Sequence, residues 1–350
     1  MTLTVNYKSI IQKAWNEYGH LSNISKIRDI SINVSTNNVF IITLENNKKI
    51  IAKISDYGNF NHFLEDHIII NSLSLNLSEP FENFLAKSLT KNGNLFTFNY
   101  ENKNFKLWIV FYNPIKIQKR PNKLQSKYNI KILGSELAKF HLACKDVSDT
   151  LPQNFKKTRD DIKNLQKNLK NKNKHQFSKK QNSLILSQCE IYLANYLFLK
   201  EKAERSIPVF IDWNIGNFSL RKDYKFFSRW DYDWFRIGTR ILDFYFFSRV
   251  CSYKGDKKDF SYLPNTLNED RFIIFLKSYH KIYPLKKNEI LMLKEMYRFF
   301  ILNYVIKDGK LFFHSKLAER LVNESFEFYI PNIDTSIQEN KILDSLGISF

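Results

Sequence analysis

Asp212 and Asn217 stand five positions apart in the stretch FIDWNIGNF, and Asp231 and Asp233 follow in RWDYDWF. Gly238 and Asp243 close the same region. A positioned carboxylate can orient a hydroxyl and accept its proton. A carboxamide and a second carboxylate offer the hard oxygen donors that Mg²⁺ prefers, with phosphates and water completing the shell. The chemistry that suits such a set is phosphoryl transfer, where positioning and charge neutralisation supply most of the catalysis. Each residue alone is an ordinary turn residue; the signal is that Asp212-x-x-x-x-Asn217 is joined to Asp231 through one hairpin.

The elements that would position these groups follow from the residue pattern. IPVFI, from Ile207, reads as an apolar strand feeding the first polar loop, and Phe226 to Trp230 reads as the strand feeding the second. Upstream, alternating apolar and polar residues with Asn-rich breaks at 35–38 and 46–47 predict three antiparallel strands. Lys53 falls in the third. A helix follows over NFNHFLEDHIIINSLSLN, carrying Glu65, and then two strands at Leu95–Tyr100 and Phe105–Phe111. A short amphipathic helix is expected over residues 1–20. After Asn113-Pro114 the chain turns mostly helical: Leu133 to Ala143, Ser183 to Lys202, a helix begun by ILDFYFFSRV, and two more in NEDRFIIFLKSYHKIY and KKNEILMLKEMYRFFILNYVIK, the first with an Asn or Asp cap. The region from Lys156 to Lys180 is basic with a weak helical period, and the polar tail from Pro331 to Phe350 is expected to be loosely held.

Composition narrows the function class. The chain has 350 residues, 43% of them apolar, so a sizeable core is available. Its net charge of +19 would suit an anionic partner, yet the basic residues are spread along the chain, as a codon bias toward Lys would leave them. Neither an aromatic-basic RNA motif nor a helix-turn-helix signal accompanies the charge, so no specific nucleic-acid partner is expected. The three cysteines, Cys144, Cys189 and Cys251, are far apart and imply neither a disulfide framework nor a metal site. No signal peptide is read at the N-terminus and no apolar run is long enough to span a bilayer, which gives a cytoplasmic location as the expectation.

DWNIGNF followed by RWDYDWFRIGTRILDF resembles the signature of aminoglycoside phosphotransferase and choline kinase-like enzymes, roughly HGDLHPGN, a strand, IDWE, a Gly and a closing Asp-Leu. LGSELAKFHLA is similar to that family's lG..LA.LH helix, and RFIIFLKSYHKIYPLKKNEI to a later segment. The resemblance covers most of residues 25–310, most fully in the hairpin. It implies an α+β fold with two kinase-like lobes: an N-terminal nucleotide-binding lobe over 1–112, a C-terminal catalytic and substrate lobe over 113–330, and the tail over 331–350. It implies ATP and Mg²⁺ as cofactors, with Asp212 as the base, Asn217 and Asp231 as metal ligands, and Asp243 as a buried anchor of the catalytic loop. Lys53 is placed like the lysine that contacts ATP phosphates, Glu65 like the glutamate that holds it. Backbone amides of Ser35, Thr36, Asn37 and Asn38, in the glycine-free loop from Val34 to Val39, would cap phosphates. The connector at Val110, Tyr112 and Asn113 would offer backbone groups to adenine.

Phe210 and Ile211 stand where the family carries His-Gly, and Asn214 where His is common. Two readings therefore stand: a kinase acting on a hydroxyl of a small molecule, or a catalytically impaired pseudokinase serving as a binding or scaffold module. The net charge favours a neutral or anionic acceptor. His141 reads as helix packing. Asp233 reads equally as a second acidic contact at the metal or a solvated loop residue. Trp213, Trp230 and Trp234 read as core or as substrate-pocket walls.

Overall fold

The computed structural model of the chain describes residues 5–20, 22–32, 35–56, 58–152, 156–171, 177–200, 205–254 and 260–349. Val34 of the expected phosphate loop, positions 172–176 of the basic stretch, Glu201 and Lys202 at the end of the expected Ser183 helix, and the terminal Phe350 lie outside them.

The N-terminal part is built on one antiparallel sheet. Helix α1 (Tyr7–Tyr18) starts where the Asn6 side chain accepts the Ser9 N–H at 3.1 Å and stops at Gly19, whose φ of 79° is the left-handed conformation glycine takes without strain. Strands β1 (Ile24–Asp29), β2 (Asn38–Leu44) and β3 (Lys49–Ser55) follow, then helix α2 (Phe60–Asn76), β4 (Thr97–Glu101) and β5 (Lys106–Tyr112). The sheet order is β1-β2-β3-β5-β4. Strand alternation divides its two faces. Phe40, Ile42, Ile50, Ala52, Ile54, Ile109 and Phe111 pack with Ile11 and Trp15 of α1, whereas Val110 and Tyr112 join the larger core on the opposite side. Lys53 pairs across the ladder with Val39 and Val110 and shares that second face, which looks into the cleft.

The C-terminal part is helical around one small β region. Its helices are α3 (Lys127–Val147), α4 (Thr158–Lys170), α5 (Lys179–Lys200), α6 (Phe244–Cys251), α7 (Asp270–Ile282), α8 (Lys287–Phe300), α9 (Ser315–Glu324) and α10 (Glu339–Leu346). Between α5 and α6 lie strands β6 (Ile207–Val209), β7 (Phe218–Leu220), β8 (Phe226–Arg229) and β9 (Arg236–Gly238). β7 pairs with β8, and β9 returns to pair with β6. This double pairing brings the loop after β6 and the loop after β8 side by side. Helices α3 and α7 approach closely at Gly134, where a Cβ would sit 2.3 Å from the Phe275 carbonyl oxygen, so only glycine fits.

Three expectations are corrected. The tail is not loose: Ile333, Ile337, Ile342 and Leu343 are buried, and α10 packs on α7 and α8. The apolar run ending in FFILNYVIK is not one α-helix; after α8 the backbone continues as a π-helix over Ile301–Lys307. The residue capping α7 is Glu269, whose side chain does not bond the helix but accepts from Ser252 Oγ–H at 2.6 Å and Tyr253 N–H at 3.0 Å. Among the described residues no helix is long and apolar enough to cross a membrane.

Candidate active site

The loop after β6 is held from below by one buried carboxylate. Asp243 Oδ1 accepts the N–H groups of Phe210 at 3.0 Å and Ile211 at 2.6 Å. Its Oδ2 bonds His141 Nε2 at 3.0 Å, and His141 Nδ1 meets the Tyr279 hydroxyl at 2.8 Å. Both Asp243 and His141 are fully buried. Burial lowers the pKa of His141, opposing the pull of Asp243. His141 is thus a packing residue that also ties α3 and α7 to the loop. Ile211 has φ 60°, a conformation that β-branched residues rarely adopt. Such a backbone persists where its surroundings over-determine it, and the two bonds to Asp243 do so here.

Asp212 follows directly and is half-buried at the cleft wall. Its Oδ1 accepts the Asn214 N–H at 3.2 Å and also takes a hydrogen bond from the Asn214 side chain. Its backbone carbonyl accepts from Arg229 Nη2 at 2.9 Å and from Asn217 Nδ2 at 3.3 Å. Asn214 thus fixes the carboxylate from the side. Asn217 is held in turn, its carbonyl accepting the Trp230 N–H at 3.0 Å, so the two loops are stitched together.

Asp231 also takes a positive φ, 68°, tolerated more readily by Asp than by most residues. Lys53 reaches across from β3 to bond Asp231 at 2.9 Å and Asp233 at 2.5 Å. Burial works against the charge on both carboxyls, but Lys53 holds Asp231 below the usual carboxylate range. Asp233 is pushed up to about 6, by burial and by the neighbouring Asp231 charge. Asp233 is therefore a cleft residue, not a solvated one. Asp212, Asn217, Asp231 and Asp233 line a single cavity of about 260 Å³, together with Trp234, Arg249, Phe260, Tyr262 and Phe313. Trp234 forms part of its wall, Trp213 is core, and Trp230 lies half-buried with Arg120 above its ring.

The expectations for the N-terminal lobe fare differently. Helix α2 presents Asp66, buried and paired with Lys156, and Glu65 beside it is only half-buried; burial lifts the Asp66 carboxyl to about 6. Asp231 and Asp233 both bond the Lys53 ammonium. The loop before β2 is docked on the C-terminal part. Thr36 N–H donates to the Phe312 carbonyl at 3.3 Å, the Thr36 hydroxyl bonds the Leu311 carbonyl, and Ser35 bridges to Phe313. Asn37 N–H is taken by the Ser35 hydroxyl at 3.1 Å. The Asn37 side chain donates to Asp233 and accepts from Ser55 Oγ–H at 2.8 Å. In this conformation the Thr36 and Asn37 amides are thus committed within the protein. The connector also needs correction. Val110 lies inside the sheet, its side chain beside Lys53 on the cleft face, so its backbone belongs to the ladder. Tyr112 points inward toward His67 and Tyr232, while the Phe111 carbonyl and Asn113 N–H bond Leu89 and Lys87.

Sequence reasoning missed Arg229, and noted Asn214 only as a departure from the pattern. Arg229 was visible only as the residue before the Trp-Asp-Tyr-Asp run, and nothing in that spacing reports what a buried guanidinium touches.

The donor set fits a hard divalent cation. Asn217, Asp231 and Asp233 bring only oxygen ligands to the cavity, and one of the two carboxylates is held ionised. Among the described residues no group of three or more His, Cys, Asp or Glu is placed to hold a metal on its own, so a cation here would need ligands from elsewhere, as Mg²⁺ takes from phosphates.

Compared with solved structures, the chain is similar to amicoumacin kinase hAmiN in complex with AMP-PNP, Ca²⁺ and Ami, at 13% identity over 97% of each chain and a TM-score of 0.65. It is similar to a microcompartment-associated aminopropanol kinase at 13% identity, 98% and 99% coverage and a TM-score of 0.58. A gentamicin–APH(2")-IIa complex matches at 14% identity, 99% and 100% coverage and a TM-score of 0.56. No family model and no curated protein matches the sequence. At these identities the likeness establishes the fold, a two-lobed α+β arrangement shared with small-molecule kinases.

Proposed function

We propose that this chain is an ATP- and Mg²⁺-dependent kinase that transfers the γ-phosphate to a hydroxyl of a small molecule. The observation that carries the reading is the convergence of Asp212, Asn217 and Asp231 on one cavity, with Lys53 reaching Asp231 and its neighbour Asp233 from the opposite lobe. Asp212 would orient the acceptor hydroxyl and take its proton, Asn214 fixing its carboxylate and Arg229 and Asn217 its backbone. Asn217 and Asp231 would hold the metal, with Asp233 beside them. A Mg²⁺ held there would supply charge neutralisation for the nucleotide phosphates. Lys53 would turn from the carboxylates to the nucleotide phosphates. The fold relationship to kinases whose complexes contain AMP-PNP supports a nucleotide as the second ligand.

The chemistry is tested by replacing Asp212 with Asn and Asp231 with Ala while following ADP release across a panel of hydroxyl compounds. Both changes should abolish transfer with the fold intact; transfer surviving both would end the assignment. The pseudokinase alternative rests on Phe210 in place of His, the glycine-free loop and the lack of a substrate signature. The support that Asp243 and Arg229 give the loop speaks for the enzyme.

A further inference from the structure

Phe210 breaks the expected sequence pattern at the residue two before Asp212, and the structure places an unusual group beside it. Arg229 is fully buried at the end of β8. Its guanidinium carbon lies 4.1 Å from the Trp213 ring centre and 4.8 Å from the Phe210 ring centre. Nη2 donates to the Asp212 carbonyl at 2.9 Å. Among the described residues Nε and Nη1 find no hydrogen-bond partner. A buried cation with unpaired N–H groups is costly, and a sequence under no demand at this site would replace it with an apolar residue. Here the nearby Asp243 and Asp212 carboxylates offset part of that cost, and the two aromatic faces offset more of it, since π-systems attract a cation most strongly once water is excluded.

The backbone of Arg229 is equally committed. Its N–H donates to the Phe84 carbonyl at 2.6 Å, and its carbonyl accepts the Ala86 N–H at 3.0 Å and the Tyr232 hydroxyl at 3.0 Å. The segment after Ala86 pairs with the connector through Leu89 N–H to the Phe111 carbonyl and through Asn113 N–H to the Lys87 carbonyl. Arg229 therefore joins three things: the connector side of the N-terminal lobe, the loop bearing Asp231, and the peptide that sets the direction of the Asp212 side chain.

We infer that Arg229, seated in the corner between the near-perpendicular rings of Phe210 and Trp213, is a positioning residue that orients the Asp212 peptide and takes over the support a His at position 210 would give. Resting on the kinase reading above, it acts through Asp212 and touches neither substrate nor nucleotide. A planar guanidinium can stack on aromatic faces while donating in its own plane; an ammonium can donate but does not stack in this way.

The test uses the full-length protein and the slow hydrolysis of Mg·ATP by water, so no acceptor need be known, with Mg·ADP affinity measured in parallel. Measurable hydrolysis by the unaltered protein, lost in Asp212→Asn, establishes the reading; its absence fails that reading separately. Given it, Arg229→Met should lower kcat at least tenfold while Mg·ADP affinity stays within about twofold, since a tenfold change in rate corresponds to about 1.4 kcal/mol in the barrier. Arg229→Lys, which keeps the charge and a donor, should recover part of that loss. Because Arg229→Met removes a buried group, Phe210→Leu serves as a second variant: it leaves the guanidinium in place but removes one clamping face, and kcat should fall again without loss of nucleotide affinity. The inference is overturned if Phe210→Leu and Arg229→Lys both keep the full kcat, or if kcat and Mg·ADP affinity fall together in every variant that stays folded.

Discussion

The two halves of the cleft are built to different degrees of commitment. On the C-terminal side the catalytic loop is held at several points: Asp243 under Phe210 and Ile211, Asn214 and Arg229 on Asp212, Trp230 on Asn217. On the N-terminal side the loop before β2 rests on 311–313, and Lys53 rests on carboxylates that a metal would need. The first half is arranged for chemistry as it stands. The second is arranged in a closed form, with groups that would bind phosphates engaged by the protein. Preorganised groups around a reacting atom save reorganisation at the moment of reaction, whereas groups that must admit and release a nucleotide need a second stable position.

Substitutions on the two sides should therefore read out differently. The largest effect is expected at the anchor. Asp243→Ala leaves the Phe210 and Ile211 amides buried without a partner, along with Nε2 of His141; it should cost several kcal/mol of stability, about 1–3 kcal/mol for each donor left unsatisfied, as measured by chemical denaturation. Asp212→Asn comes next: turnover should fall by about 10²–10⁴-fold, the usual contribution of a positioned base, with the denaturation midpoint almost unchanged. Lys53→Met should act on binding, raising KM for Mg·ATP more than it lowers kcat, because the group it removes serves the nucleotide side. The smallest effect is expected from Thr36→Val, which removes the side-chain bond to the Leu311 carbonyl. It should loosen the closed loop and tighten nucleotide binding by a few fold, read by calorimetry. A weakening there would mean that the docked loop is part of the binding site itself.

A pH series separates the halves further. Asp233 and Asp66 both titrate near 6, above the ordinary carboxyl value, because burial disfavours their charge. Between about pH 4 and 6 the folded protein then keeps protons that the unfolded chain has lost, so these groups make stability fall as pH rises through that window. Asp233→Asn should flatten that slope, measured as melting temperature against pH. The stabilisation gained from Mg·ADP should run in the opposite sense, growing as pH rises past 6, since the metal competes with the Asp233 proton.

Legibility in the sequence follows the same division. The Asp212, Asn217, Asp231 and Asp243 pattern was readable because it lies within one hairpin and its return, where spacing dictates geometry. The sheet was readable because alternation and Asn-rich turns are local signals, and α3 because its period is long and regular. What could not be read depended on partners far along the chain. Thr36 meets Leu311 across 275 positions, Lys53 meets Asp231 across 178, and Asp66 rather than Glu65 turns inward because α2 faces Lys156. The tail looked polar, yet four of its apolar residues are enough to bury it against α7 and α8. Arg229 carried no signal of its role, since its partners are rings and a backbone carbonyl, which no motif records.

The central claim is that the hairpin and Lys53 together form a metal–nucleotide site, and the measurement closest to it is the thermal shift with AMP-PNP, with and without Mg²⁺, in the unaltered protein and in Asp231→Asn. Ligand that binds only the folded state raises its stability by mass action. The account predicts a clear rise in melting temperature that requires Mg²⁺ and is lost in Asp231→Asn. No shift at saturating AMP-PNP with Mg²⁺, or an equal shift in the variant, would contradict it.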